Sequence, residues 1–146
     1  MRGFFLSVYL RELVTATGSR WGIGTAGAIG RLTQALVMTV AVIVGLDQAD
    51  ERQFEHAKTF FAGLPQNVHI LWNDGPWLRE IDAQLQSQNL APTQAGKGRN
   101  VWYCMGYALA LDHIEAIALH DCDILTYDRS LPARLFYPVA SPAFSF

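Results

Sequence analysis

Two carboxylates, Asp121 and Asp123, stand one residue apart at the end of an apolar, β-prone run in IALHDCDILTYD. Residues two apart on an extended chain point the same way. Side by side their charges repel until one is protonated or a cation joins them. An all-oxygen site of this kind suits a hard divalent ion, Mg²⁺ or Mn²⁺. Magnesium is usually held by one or two carboxylates together with substrate phosphates, so few protein ligands are needed and a phosphorylated substrate is expected. The plain alternative is a solvated loop in which one aspartate caps a helix. His120 beside the acids is a second candidate ligand, although a histidine satisfied by backbone is the commoner case.

A cation is available upstream, in AGKGRN. Lys97 lies between Gly96 and Gly98, in what reads as a flexible loop whose backbone amides can approach an anion. No Ser or Thr follows the lysine, so this is not a P-loop. Asp47 ends a second apolar run, TVAVIVGL. There it can bind a ribose hydroxyl or a base, or cap the helix that follows. Asn73 and Asp74 carry the same ambiguity with a turn. No Ser-His-Asp or Cys-His nucleophile set is present. A rival motif is GIGTAG, in which Gly22, Gly24 and Gly27 match a dinucleotide-binding fingerprint, with Asp47 ending a strand roughly 20 residues on. It implies an oxidoreductase fragment that binds NAD(P) without metal. The segment TATGSRW, however, separates its first glycine from any strand.

These residues need a scaffold, and the chain alternates in the way that builds one. Thr39 to Leu46 is β-branched and unbroken, as a strand buried on both faces should be. Asp47 and Asp50 offer N-cap chemistry for a helix in which Phe54, Ala57, Phe61 and Leu64 recur at helical spacing, with Gly63 at its end. Asn67 to Trp72, NVHILW, reads as a second strand. Pro76 suits the first turn of a helix whose Leu78, Ile81 and Leu85 share a face. A polar loop, SQNLAPTQAGKGRN, precedes a helix with Val101, Met105, Ala108 and Leu109 on its apolar side. IEAIALH is a third strand, and Ser130 caps a final helix through Tyr137. The order predicts an α/β fold: a mostly parallel, Rossmann-like sheet with helices on both faces. Ligands bind such sheets outside the carboxyl ends of the strands, where Asp47, Asn73, Asp74, Asp121 and Asp123 all fall. Residues 1–36, rich in Gly, Ala and Thr, yield no clear element beyond a helix near their end.

Composition narrows the class. The chain has 146 residues, 51% hydrophobic and 16% charged, with formal net charge −2. That fits one globular domain and not a disordered chain, and it offers no sequence-independent grip on nucleic acid. Cys104 and Cys122 sit among apolar neighbours without metal-site spacing, which points to a reducing, cytoplasmic setting. The start MRGFFLSVYL has the look of an export signal, but Arg11 and Glu12 interrupt it. The most apolar run, ALVMTVAVIVGL, is too short to span a bilayer, which needs about 20 residues.

Five segments, in order, carry a family resemblance: VGLDQADERQFEHAKTFF, ILWNDGP, GKGRNVW, ALHDCDILTYDR and ARLFYPVASP. Together they resemble the glucosyl-3-phosphoglycerate synthase family, retaining glycosyltransferases of GT-A fold, and their mannosyl-transferring relatives. The resemblance runs from about Val42 to Pro142. It implies transfer of a hexose from a nucleotide sugar, typically UDP-glucose, to 3-phosphoglycerate, with a divalent metal. By the same resemblance Asp123 holds the metal, Asp121 contacts the ribose or sugar side of the donor, Lys97 lies near the diphosphate, and Asp47 lies at a nucleotide-contacting strand end. Residues 1–36 form an atypical N-terminal segment without the family's Pro-containing loop and glutamate. Residues 37–146 correspond to the donor-binding part of a GT-A domain, with the acceptor half and a further metal-binding histidine expected beyond Phe146. Such a fragment is expected to bind donor weakly, and an open sheet edge favours self-association. A non-catalytic remnant is the remaining alternative.

Overall fold

The computed structural model describes residues 4–10, 39–111, 114, 116–121, 125–126, 130–140 and 143–144; at sheet positions 4–10, 39–40 and 120–121 the description is of the backbone. The elements are β1 (Phe4–Leu10), β2 (Thr39–Leu46), α1 (Glu51–Phe61), β3 (Asn67–Trp72), α2 (Pro76–Ser87), α3 (Lys97–Leu109), β4 (Ala116–Asp121) and α4 (Ser130–Ala140). The predicted strands β2 and β3 fall where periodicity puts them, and Pro76 opens α2. The Gly22–Gly27 motif, Cys122 and Asp123 lie outside the described residues.

The four strands form one sheet in the order β3-β2-β1-β4. The expectation of a mostly parallel sheet is corrected by β1. Only β2 and β3 pair in parallel, whereas β1 runs antiparallel to both of its neighbours. Because β1 opposes both β2 and β4, those two and β3 still share one direction, and their carboxyl ends lie along one edge. The run FFLSVYL is apolar and β-prone, and without a turn signal or an amphipathic partner nearby it did not read as a sheet strand. It contains neither proline nor glutamate.

Alternation along β2 divides the core between two faces. Ala41 and Ile43 pack with Leu71, Cys104 and Ala108, against which Tyr107, Leu111, Ile114 and Ile117 close. Leu46 joins Ala49 and Ala57, with Phe54, Phe61, Ile70 and Trp72 around them. Helix α3 thus covers one face and α1 the other. Helix α1 starts at a capping box: Gln53 N donates to Asp50 Oδ1 at 2.8 Å, and Asp50 N donates to Gln53 Oε1 at 2.9 Å. Asp50, and not Asp47, is therefore the cap. The buried side of α3 is Asn100, Tyr103, Cys104 and Ala108. Of the expected apolar side, Ala108 is buried, whereas Met105 is 40% and Leu109 79% exposed.

Close approach of α3 to β2 depends on Gly45. A Cβ there would stand 2.6 Å from Cys104 Sγ and 2.8 Å from Asn100 Cγ, inside any allowed contact. Burial of Cys104 against this strand pushes its thiol up to about 12. The unfolded thiol titrates near 8.5, so the folded chain retains a proton that the unfolded chain loses, and stability falls as pH rises from there towards 12.

Gly45→Ala should cost about 1–3 kcal/mol through overpacking, read from the urea midpoint. Gly63→Ala meets nothing within 4 Å and should shift stability by less than about 0.5 kcal/mol. Equal midpoints for the two variants would contradict the packing described. In a Cys122→Ser background, Cys104 should react with a disulfide reagent at pH 8 only as the chain unfolds; rapid labelling of the folded chain would show the thiol to be accessible.

Candidate functional site

The carboxyl edge of the sheet gathers the polar residues of the core. Asp47 and Asn73 are each 5% exposed and Asn100 is fully buried. Each belongs to a different element: Asp47 follows β2, Asn73 follows β3, and Asn100 lies in the first turn of α3. A buried carboxylate or amide is costly unless paired, and the pairing here forms one chain of hydrogen bonds. Arg99 donates from a terminal guanidinium nitrogen to Asp47 Oδ1 at 2.8 Å. Asn73 Nδ2 donates to the same oxygen at 3.0 Å and to Asn100 Oδ1 at 3.0 Å. Asn100 Nδ2 donates to the Gly45 carbonyl at 3.1 Å. Asn73 Oδ1 and Arg99 Nε complete the group as buried atoms with no hydrogen-bond partner.

A second carboxylate extends the network outwards. Asp74 accepts from Ala49 N at 3.1 Å and lies 3.9 Å from the Arg99 guanidinium. Trp72 Nε1 donates to the Ala49 carbonyl at 2.7 Å, and its ring stacks on Phe54 with centroids 4.9 Å apart. Its hydrogen bond with Asp47, followed by the charges of Asp47 and Asp74, holds Arg99 above its ordinary pKa against the opposing effect of burial. Further along the buried face of α3 the Tyr103 hydroxyl donates to Asp82 of α2. Burial, then that bond, raises the Tyr103 phenol above its usual range.

Of the predicted site residues, Asp47 lies at this edge as the acceptor of an internal ion pair. Lys97 is corrected from a loop to the first residue of α3, and it is exposed. The Gly96 cap before it has φ 123, a conformation that glycine adopts without penalty. Asp121 is the last residue of β4. Its Cα is registered with Phe5, which on its other side is registered with Gly45. Two strand spacings, roughly 10 Å, therefore separate Asp121 from Gly45, at the same edge as Asp47. The chain steps from β2 to β3 on one side and returns to β4 on the other, a reversal of strand order that in α/β sheets marks the ligand crevice. Among the described residues no group of three or more His, Cys, Asp or Glu could hold a metal ion.

Sequence reading missed Arg99 and Asn100. The signal was present in part, because Asn100, Cys104 and Ala108 follow one another at four-residue spacing on one helical face. A buried asparagine on that face requires polar partners. Removing Arg99 strands a buried carboxylate, so Arg99→Met should cost about 3 kcal/mol. Replacing both partners, Arg99→Met with Asp47→Leu, should restore most of that loss, as judged by urea midpoints. A double variant as unstable as the sum of its single changes would argue against an ion pair.

Comparison with known proteins gives two relatives. The glucosyl-3-phosphoglycerate synthase of Persephonella marina is 41% identical over 105 residues, covering 72% of this chain and 26% of that protein. The protein of the same name from Methanococcoides burtonii is 33% identical over 106 residues, again 72% of this chain and 26% of its own length. The matched region thus spans about a quarter of these relatives. No family model matches the chain, and no solved structure matches it significantly. Over nearly three quarters of its length this chain is similar to glucosyl-3-phosphoglycerate synthases, the family that its motifs resemble.

Proposed function

We propose that this chain is the donor-binding part of a hexosyltransferase, one that moves glucose from a nucleotide sugar, UDP-glucose, to 3-phosphoglycerate. The observation that carries the reading is that Asp121, at the end of β4, and the residues that anchor the start of α3, Gly45 and Asp47, lie along one sheet edge. The two relatives are named for the product of such a transfer, glucosyl-3-phosphoglycerate, and that name supports the acceptor side of the reading.

The chemistry follows from charge. Cleavage of the sugar–phosphate bond leaves a diphosphate whose negative charge grows towards the transition state, and fixed positive groups beside it lower the barrier. Lys97 supplies one such group. The first turn of α3 contains no acidic residue, so the positive end of its dipole favours an anion there. By the family resemblance Asp121 would contact the ribose or sugar side of the donor. A divalent ion held by Asp123, Mg²⁺ or Mn²⁺, would supply further neutralisation of the diphosphate when bound. Asp47 contributes through the polar edge that it organises. A cytoplasmic setting accords with Cys104 as a buried cysteine thiol. The described residues contain no helix long and apolar enough to cross a membrane.

Calorimetric titration of UDP-glucose into the chain tests the proposal. Binding should appear with Mn²⁺ and vanish with EDTA. Asp123→Ala should weaken it by at least tenfold, a loss of about 1.4 kcal/mol, with an unchanged melting temperature. Equal affinity in that variant, or binding of NAD(P) with none of UDP-glucose, would overturn the reading.

A further inference from the structure

The first turn of α3 is pinned to the sheet by two successive side chains. Arg99, 18% exposed, reaches Asp47 at 2.8 Å beyond β2 and lies 3.9 Å from Asp74 beyond β3. Asn100 donates to the Gly45 carbonyl at 3.1 Å and accepts from Asn73 at 3.0 Å. Lys97 precedes these anchors and is exposed between two glycines. A Cβ on Gly96 or Gly98 would meet nothing within 4 Å, so the glycines on either side do not wedge the lysine in place. Glycine also leaves the backbone its widest conformational choice, and the side chains that tie this turn to the sheet, Arg99 and Asn100, lie two and three residues beyond Lys97. Asp47, buried and already accepting from Arg99 and Asn73, is engaged as the counter-anchor.

We propose that Arg99 is a positioning residue: its ion pair with Asp47 sets the first turn of α3, and through it Lys97, for a diphosphate group. The identity of the anion rests on the donor-binding reading above, whereas the mechanical link between Arg99 and Lys97 does not. Arg99 acts at a distance through the helix start, so a conservative lysine in its place, able to reach Asp47 but without the guanidinium fork, should restore only part of the effect.

The chain has two lysines, Lys58 and Lys97, which makes the link measurable. Lys58 pairs with Glu55 within α1 at 2.9 Å and serves as an internal reference. Reductive ¹³C-methylation of the full chain gives one side-chain signal for each lysine. In ligand-free spectra, Arg99→Gln and Asp47→Asn should each shift and sharpen the Lys97 signal and leave that of Lys58 in place. An unmoved Lys97 signal in both variants, with Lys58 reporting an intact fold, would overturn the proposal. UDP added to the unsubstituted chain should shift the Lys97 signal, and Arg99→Gln should weaken that titration roughly tenfold. A Lys97 signal indifferent to UDP in the unsubstituted chain, alongside the expected ligand-free shifts in the variants, would sink the donor-binding reading and leave the positioning role standing. In a Lys97→Ala background, calorimetry should find little further loss from Arg99→Gln, because residues acting through one another are not additive. Full additivity would mean that Arg99 does not act through Lys97.

Discussion

A carboxylate buried at the end of a central strand must find a positive or donating partner, and in this chain Asp47 finds Arg99 and Asn73. Burying that charge alone would cost several kcal/mol. The partners come from elements far apart in sequence: Asn73 after β3 and Arg99 from α3. Satisfying one side chain therefore brings two strand ends and a helix start to the same place. The second link, from Asn73 through Asn100 to the Gly45 carbonyl, repeats the constraint with neutral groups. Removal of the charge alone would leave this second tie, so the edge should loosen before it is lost.

The same region depends on a small residue below it. Gly45 leaves the space that Asn100 and Cys104 occupy, so the helix lies close enough for an asparagine to reach a strand carbonyl. Charge pairing and close packing thus reinforce each other. Tyr103, next along the buried face of α3, holds the opposite flank through Asp82. The start of α3 is fixed on several sides, while Lys97 at its tip faces solvent.

Strand β1 gives the sheet its mixed character. It lies between β2 and β4 and hydrogen-bonds to both, which satisfies backbone groups that would otherwise be exposed edges. Its width also sets the separation between the end of β2 and Asp121. A strand of either direction fills that slot with similar spacing, so the three strands that carry polar ends keep a common direction and a common edge. The gap at the switch point is thus spanned by backbone pairing.

Much of this was legible from local pattern. The run TVAVIVGL has the β-branching of a doubly buried strand, and NVHILW the length and bounds of its neighbour. Asp50 was one of two N-cap candidates ahead of α1, and Pro76 marked a helix start. Composition and order also gave the α/β class, and the short motifs gave the family likeness. These features depend on residues within a turn or two of each other, so sequence alone determines them. Partnership did not follow from sequence. Whether Asp47 caps a helix, contacts a ligand or binds Arg99, 52 residues later, turns on which strand ends become neighbours. The direction of β1 is equally non-local, because FFLSVYL pairs as well either way until its neighbours fix the register. Lys97 begins a helix and not a loop, and in that helical turn Arg99 and Asn100 reach partners beyond β2 and β3. Tertiary structure decided these points, since a buried charge is settled by what packs against it and not by what precedes it in the chain.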